Sequence, residues 1–181
     1  MPRIPVHTVD NAPEAARETL RSLEKKFGMV LNIHGEMAHA PVVLAAYQGI
    51  SQAIADHGTF DARTREAIAL TVGATNDCGY CQSAHTAAGR AAGWSLDETV
   101  DIRSGTFTAD PRLAALLAVA REIAADRGEV AEETWVAARR AGWSDVELAE
   151  LYTHVIVNVF TNYFNHYAQT GLDLPKAPGL D

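Results

Sequence analysis

Segments of helical length, separated by glycine or proline, run through almost the whole chain. Alanine is abundant in them, and the alternation of apolar and polar residues that marks a half-buried strand is absent. The sequence therefore predicts an all-α fold with about eight helices. The first expected helix is capped by Asp10 or Asn11, has Pro13 in its first turn and ends at Phe27. An irregular connection over 29–40 follows, and then helices over 41–57, 61–74, 77–92, a short segment after Ser95, 111–128, 131–141 and 144–170.

Two serines mark predicted helix starts and point to an internal repeat. Ser95 with Glu98, and Ser144 with Glu147, have the spacing of a capping box, in which the two side chains bond backbone N–H groups at the start of a helix. Each serine ends the same four-residue run, Ala-Gly-Trp-Ser. The echo is consistent with an internal duplication. A shift of 81 residues, which places Glu66 on Glu147, is the alignment that we expect for it.

The negative net charge of the chain disfavours negatively charged partners. Its 181 residues include 15 basic and 23 acidic ones, for a net charge of −8, and no lysine or arginine cluster stands out. DNA and anionic membranes are therefore poor candidates as partners. A hydrophobic fraction of 48% with 21% charged residues is typical of a globular protein, and the length suits a single domain over 1–181. With no long apolar run and no secretory leader at its start, we expect a cytoplasmic protein.

The chain has two cysteines, Cys78 and Cys81, which form a C-x-x-C pair followed by His85. On a helix these three residues occupy positions i, i+3 and i+7, so their side chains point to the same side. Asn76 or Asp77 is the expected helix cap, which places Cys78 in the first turn. Unpaired backbone N–H groups there favour a thiolate over a thiol.

Glu66 is the carboxylate that we expect beside the cysteines. It lies twelve residues before Cys78, which would be about 18 Å along one unbroken helix. Helix-weakening residues between Gly73 and Asp77 predict a turn, and two antiparallel helices would bring Glu66 back to the thiols. A carboxylate, an imidazole and a thiol together can activate a sulfur nucleophile. We therefore predict a redox core over about 61–93.

Two other interpretations use the same residues. A metal-binding or regulatory module could combine Cys78, Cys81 and His85 with His154 or His166, although the spacing lacks the second ligand pair of structural zinc modules. A disulfide reductase could use the cysteine pair without turning over peroxide. Metal analysis of the purified protein and an assay with peroxide and a dithiol distinguish these alternatives.

Outside the cysteine motif, the sequence predicts the environments of the polar and aromatic residues in the last helix and of three arginines. Three asparagines in the otherwise apolar helix need buried partners, which predicts a packed interface or a pocket wall: Asn158, Asn162 and Asn165. The aromatic residues of that helix are expected in the core or in a subunit interface: Phe160, Tyr163, Phe164 and Tyr167. Three arginines are expected on a solvated helix face: Arg63, Arg65 and Arg90.

The pattern Glu66-x11-Cys78-x2-Cys81-x3-His85 resembles the signature of the AhpD-like alkylhydroperoxidases within the carboxymuconolactone decarboxylase superfamily. The chain is most similar to their peroxidase-related branch, and stretches such as LEKKFGM, AGWS and NYFNH extend the likeness over nearly the whole length. The resemblance implies the all-helical AhpD-like fold, assembled into homo-oligomers, either trimers or larger rings.

The resemblance also implies a role for each motif residue. Cys81 would attack a hydroperoxide and become a sulfenic acid, and Cys78 would resolve it as a disulfide. Glu66 and His85 would relay protons, and a dithiol, for which a lipoyl-type group is one candidate, would reduce the disulfide. No metal or organic cofactor is implied. Helix-end electrostatics instead favour Cys78 as the more acidic thiol, and Tyr80 stands where some members have a histidine.

Overall fold

Nine α-helices and no strand make up residues 2–179, the part of the chain that the computed structural model describes. The all-α prediction is confirmed, with one helix more than the expected eight. No helix in this range is both long and apolar enough to cross a membrane. The helices are α1 (Glu14–Phe27), α2 (Asn32–Met37), α3 (Pro41–His57), α4 (Ala62–Thr75), α5 (Gly79–Ala91), α6 (Leu96–Ser104), α7 (Pro111–Ala125), α8 (Glu132–Arg140) and α9 (Asp145–Ala168).

Most helix ends follow the local signals of the sequence. The Asp61 carboxylate accepts a hydrogen bond from the Thr64 N–H at 2.7 Å and begins α4. Both predicted capping boxes are formed, by Ser95 for α6 and by Ser144 for α9. Gly28 ends α1 in the left-handed conformation, with φ of 80°, which glycine adopts without steric cost.

The segment predicted as an irregular connection over 29–40 instead contains α2. This helix has only six residues, too few to be stable alone. The five residues 33–37 are all buried, so packing against the rest of the protein stabilises the helix. Its packing neighbours are α1 and α3.

Helix α4 lies at the centre of the fold and positions the cysteine-bearing helix. All seven residues 67–73 are buried, because α4 packs against α5, α6, α7 and α9. The chain reverses after α4, and α5 returns antiparallel beside it, as predicted. The two cysteines lie in a hydrophobic cluster with residues of α1 and α2, separate from the larger cluster around α4, α7 and α9.

Two equivalent tryptophan corners locate the internal repeat. The Trp94 Nε1–H donates to the Arg63 carbonyl at 2.8 Å, and the Trp143 Nε1–H donates to the Arg112 carbonyl at 2.7 Å. In each corner the arginine's guanidinium lies over the same indole, 3.8 and 3.7 Å from the ring centroid. Equivalent residues are 49 positions apart (143 − 94 and 112 − 63).

This register makes α4, α5 and α6 the counterparts of α7, α8 and the first part of α9. The expected shift of 81 residues is wrong, because it would lay the two helices α4 and α5 on α9, which is one unbroken helix. With a shift of 49, Cys78 and Cys81 correspond to Arg127 and Val130. Only the first copy therefore carries thiols.

Candidate active site

Cys78 is itself the N-cap of α5, in place of the expected Asn76 or Asp77. The turn before it is tight, and Asp77 has a φ of 51°, in the left-handed region that aspartate tolerates better than most residues. This turn places the Cys78 sulfur over the end of the helix, where it accepts a hydrogen bond from the Cys81 N–H at 3.3 Å. The cap matters chemically because a thiolate is a better acceptor than a thiol.

Asn165 of α9 holds both sulfurs from the opposite side. Its Nδ2 lies 3.1 Å from the Cys81 sulfur and 3.7 Å from the Cys78 sulfur. The sequence predicts a buried partner for this asparagine, and the structure identifies the thiols as that partner. Asn162, one turn earlier, accepts a hydrogen bond from the Asn76 side chain at 2.9 Å, which ties α9 to the turn before α5. The three asparagines of α9 are all buried, as expected.

The pKa values of the two thiols are shifted in opposite directions. A hydrogen bond from the Cys81 side chain lowers the pKa of Cys78 to about 7, with further help from the Cys81 N–H, Asn165 and the nearby His166, while burial opposes the shift. The hydrogen bond to Cys78, burial and the neighbouring Cys78 charge together raise the pKa of Cys81 well above its usual value. The pair therefore shares one proton, which stays on Cys81 while Cys78 is the thiolate.

Glu66 and His85 form a hydrogen-bonded pair beside the thiols. The His85 Nδ1 and a Glu66 carboxylate oxygen are 2.8 Å apart, and about a quarter of each side chain is exposed (28% and 24%). Burial alone would lower the pKa of His85, but the charge and hydrogen bond of Glu66, together with the charge of Cys78, raise it above its usual value. The antiparallel α4–α5 pair thus brings Glu66 back to the motif, and the histidine is held closer to its protonated form.

A cavity of about 410 Å³ opens onto Cys81. Cys81, Glu66 and His85 all line it, whereas Cys78 is not part of its lining. Most of the remaining wall is apolar or aromatic: Phe27, Leu31, Ile33, Tyr47, Ala84 and Ala88. The volume is in the range of small-molecule sites, and it is larger than hydrogen peroxide needs.

Tyr80 also lines this cavity, but its hydroxyl is committed elsewhere. The hydroxyl donates to an Asp173 carboxylate oxygen at 2.8 Å, and the other carboxylate oxygen accepts from the Asn32 N–H at 2.7 Å. Burial and this acidic partner raise the pKa of Tyr80. Tyr80 is therefore a structural link between α5, α2 and the C-terminal segment, and it is poorly suited to carry protons.

The histidines of the predicted metal site do not complete one. His154 is buried and bonds Glu150 through Nε2 at 3.1 Å, and His166 bonds the Asn76 carbonyl at 2.8 Å. Within residues 2–179, no group of three or more histidine, cysteine, aspartate or glutamate side chains is arranged to hold a metal ion. The geometry therefore gives no support to the metal-module interpretation.

The three arginines near the motif have different environments. Arg90 is exposed, as predicted, and Arg63 stacks on Trp94 in the first corner. Arg65 is half-buried and lines a second cavity, which also contains Glu66 and His85. The expectation of a solvated face does not hold for Arg65, because α9 packs beside α4 and residues of α3 and α9 complete the wall of the cavity around it.

Comparisons with known proteins agree with this architecture. Residues 41–122 match the Carboxymuconolactone decarboxylase family. An uncharacterized protein of Haemophilus influenzae is 49% identical over 45 residues, which amount to 25% of this chain and only 40% of that protein.

The solved structures extend the likeness to nearly the whole chain. The alkylhydroperoxidase AhpD core of a peroxidase-related protein from Ralstonia eutropha superposes with a TM-score of 0.84, at 24% identity, over 95% of this chain and 92% of that one. A peroxidase-related protein from Silicibacter gives 0.80 at 20% identity, over 97% and 93%. The debrominase Bmp8 gives 0.80 at 17% identity, over 94% and 92%. The chain thus matches the Carboxymuconolactone decarboxylase family over residues 41–122, and its described residues have an AhpD-like fold.

Proposed function

We propose that the protein is a thiol peroxidase that reduces organic hydroperoxides through Cys81 and Cys78. The observation that carries this proposal is that Cys81 and the Glu66–His85 pair line one cavity, with Cys78 behind Cys81. A peroxide in that cavity meets a sulfur nucleophile and a proton donor together.

The first step uses the proton that the two thiols share. Cys81 passes its proton to the Cys78 thiolate and attacks the terminal oxygen of the hydroperoxide. The O–O bond breaks, Cys81 becomes a sulfenic acid, and the leaving alkoxide takes a proton from His85 to give an alcohol. The Glu66 carboxylate stabilises the protonated imidazole before the transfer.

The second step closes the disulfide. The Cys78 sulfur attacks the sulfenic sulfur of Cys81, an S–S bond forms, and water leaves with the Cys78 proton. An external dithiol then reduces the disulfide by thiol–disulfide exchange and is itself oxidised. Because Cys81 faces the cavity, we expect its sulfur to be the one that the reductant attacks.

Two cysteine variants test the assignment. Cys81→Ser should abolish peroxide consumption, whereas Cys78→Ser should still consume one equivalent of cumene hydroperoxide, more slowly because the Cys78 base is missing, and leave a sulfenic acid that dimedone traps. The measurement is stoichiometric peroxide loss with mass spectrometry of the trapped protein. A Cys78→Ser protein that forms no sulfenic acid, beside a Cys81→Ser protein that does, would reverse the two roles.

A Glu66→Gln variant tests the proton relay. Without the carboxylate, the raised pKa of His85 should fall, so the protonated imidazole is lost at lower pH than in the wild type. Peroxidase activity near neutral pH should fall by about 10²-fold or more, the usual contribution of a positioned acid or base. NMR titration of the His85 ring and the pH profile of kcat/KM measure the two effects. An unchanged histidine titration would contradict the assignment.

The size of the cavity favours one second candidate, reductive dehalogenation of an aromatic halide. The debrominase Bmp8 shares the fold and has been solved with 2,3,4-tribromopyrrole. In such a reaction the two thiols would supply two electrons, so that a carbon–bromine bond is replaced by carbon–hydrogen, bromide leaves and a disulfide forms. Bromide release from a brominated pyrrole in the presence of a dithiol, without peroxide turnover, would favour this candidate.

A further inference from the structure

A second cavity adjoins the cavity at Cys81, and both are lined by the Glu66–His85 pair. Its volume is about 330 Å³, and it shares five lining residues with the cavity at Cys81: Lys26, Tyr47, Glu66, His85 and Thr161. The two cavities therefore meet at the proton relay. They differ in chemistry, because the wall away from Cys81 is more polar and includes Ser51, Asn158 and His154.

Two cations face this second cavity without a carboxylate partner. Lys26 and Arg65 line it, and neither forms an ion pair with an acidic side chain within residues 2–179. The one carboxylate in the wall, Glu66, is bonded to His85. His154 adds no positive charge near neutral pH, because burial lowers its pKa. The recess therefore has a net positive charge, in a chain whose net charge is −8.

The cavity at Cys81 has the opposite character beyond the shared residues. Its wall is formed mainly by hydrocarbon and aromatic side chains, and His34 is neutral there because burial lowers its pKa to about 4. An apolar compartment that ends at a sulfur therefore adjoins a compartment lined by Arg65, and Lys26 lies where the two meet, with its Nζ 5.2 Å from the Phe27 ring centroid. An amphiphilic anion matches both compartments, whereas hydrogen peroxide matches neither.

We propose that the substrate is an organic hydroperoxide that also carries a carboxylate, bound with the carboxylate in the recess near Arg65 and Lys26 and the hydrocarbon in the cavity at Cys81. Arginine presents a planar set of donors that suits a carboxylate, and a half-buried guanidinium binds it more strongly than one in open water. This inference rests on the proposed peroxidase function, since it names the substrate class of the same site.

Matched substrates separate this inference from the function on which it rests. Linoleic acid hydroperoxide and its methyl ester differ only in the charge, and cumene hydroperoxide is a neutral reference. The wild-type enzyme should have a kcat/KM about tenfold higher for the acid than for the ester, as one good charge-assisted contact allows. In Arg65→Gln this ratio should fall towards one, through a higher KM for the acid. Arg90→Gln, which removes the same charge from the exposed end of α5, should keep the wild-type ratio.

The outcomes are distinguishable. Turnover of cumene hydroperoxide with an acid-to-ester ratio near one in the wild type would overturn the carboxylate proposal and leave the peroxidase intact. An equal fall of the acid-to-ester ratio of kcat/KM in Arg65→Gln and Arg90→Gln would also overturn the carboxylate proposal. The preference for the acid would then come from the overall charge of the protein and not from a contact with Arg65. If no hydroperoxide is turned over, the proposed function fails. Calorimetry with the corresponding hydroxy acid and its methyl ester still measures the anion site: tighter binding of the acid, lost in Arg65→Gln, supports it, and equal binding contradicts it.

Discussion

At the scale of single residues, the two sulfurs of one short motif have different environments. The Cys78 sulfur caps a helix and accepts hydrogen bonds, so its thiolate is stabilised. The Cys81 sulfur holds the shared proton, yet it faces the cavity. Cys78 is thus the more acidic thiol, whereas Cys81 is the one that the cavity reaches. In the mechanism that we propose, the Cys78 thiolate would act as the base for the Cys81 thiol, which would become reactive only when it is deprotonated.

Because the two thiols differ in pKa, we expect them to ionise in two well-separated steps. The ultraviolet absorbance of the reduced protein should show one thiolate forming with a midpoint near pH 7, and the second only well above the ordinary cysteine range. Asn165→Leu keeps the side-chain volume but removes a donor to both sulfurs, so the first midpoint should move to higher pH. Two thiols that titrate together near their usual pKa would contradict the shared proton.

At the scale of elements, α2 shows how a weak helix contributes to the site. It carries Ile33 and His34 into the wall of the cavity at Cys81. The chain before α1 packs closely on it, and the His7 N–H donates to the Gly35 carbonyl at 3.1 Å. A Cβ at Gly35 would lie only 2.6 Å from the His7 carbonyl oxygen. The absence of a side chain at Gly35 is therefore what lets the N-terminal segment hold α2 in place.

Two glycine variants test this packing. Gly35→Ala should lower the free energy of unfolding by about 1–3 kcal/mol, because backbone atoms must move to admit the methyl group. Gly49→Ala in α3 is the matched control: no atom lies within 4 Å of its added Cβ, and alanine is the better helix former by about 1 kcal/mol. Urea denaturation measures both changes. A Gly35→Ala protein as stable as Gly49→Ala would contradict the close contact.

The sequence predicts elements well where the signal is local. Helix α3 has the predicted bounds, and both capping boxes form, because side chains and backbone within one turn determine them. Helix α2 was not predictable, since only tertiary burial stabilises it. The same limit applies to the site. The pairing of Glu66 with His85 follows from a local turn, whereas the Asn165 contact and the cavity around Arg65 depend on how α9 and α3 pack, which no local pattern specifies.

At the scale of the whole molecule, α9 presents an apolar stripe to the outside. Tyr152, Tyr163 and Tyr167 are more than half exposed, and the half-buried Ile156 and Val159 lie between them on the same side of the helix. From Tyr152 onwards α9 itself carries no aspartate, glutamate, lysine or arginine, and the Arg3 guanidinium lies at the end of the stripe, where it donates to the Tyr167 carbonyl at 3.3 Å. Large exposed apolar surfaces mark interaction sites, so we expect the stripe to form the subunit interface of the predicted homo-oligomer.

The stripe predicts how the oligomer can be dissociated. Wild-type protein should elute as a trimer or a larger ring, and the double variant Tyr163→Glu/Tyr167→Glu should be monomeric, because burying two carboxylates in an apolar interface is unfavourable. Val146→Glu, on the same helix but about a quarter turn away and 72% exposed, is the control and should keep the wild-type mass. Size-exclusion chromatography with light scattering measures each mass. A monomeric wild-type protein would contradict the prediction.

The capping sulfur links chemistry to the rigidity of a helix. Once Cys78 is bonded to Cys81, its sulfur no longer carries the charge that made it a good acceptor for the first turn of α5. The amide of Cys81 should then exchange with deuterium faster in the oxidised protein than in the reduced one. If the proposed cycle operates, the first turn of α5 should become more mobile on oxidation and more rigid on reduction, so that the oxidised and reduced proteins present different surfaces to an electron donor.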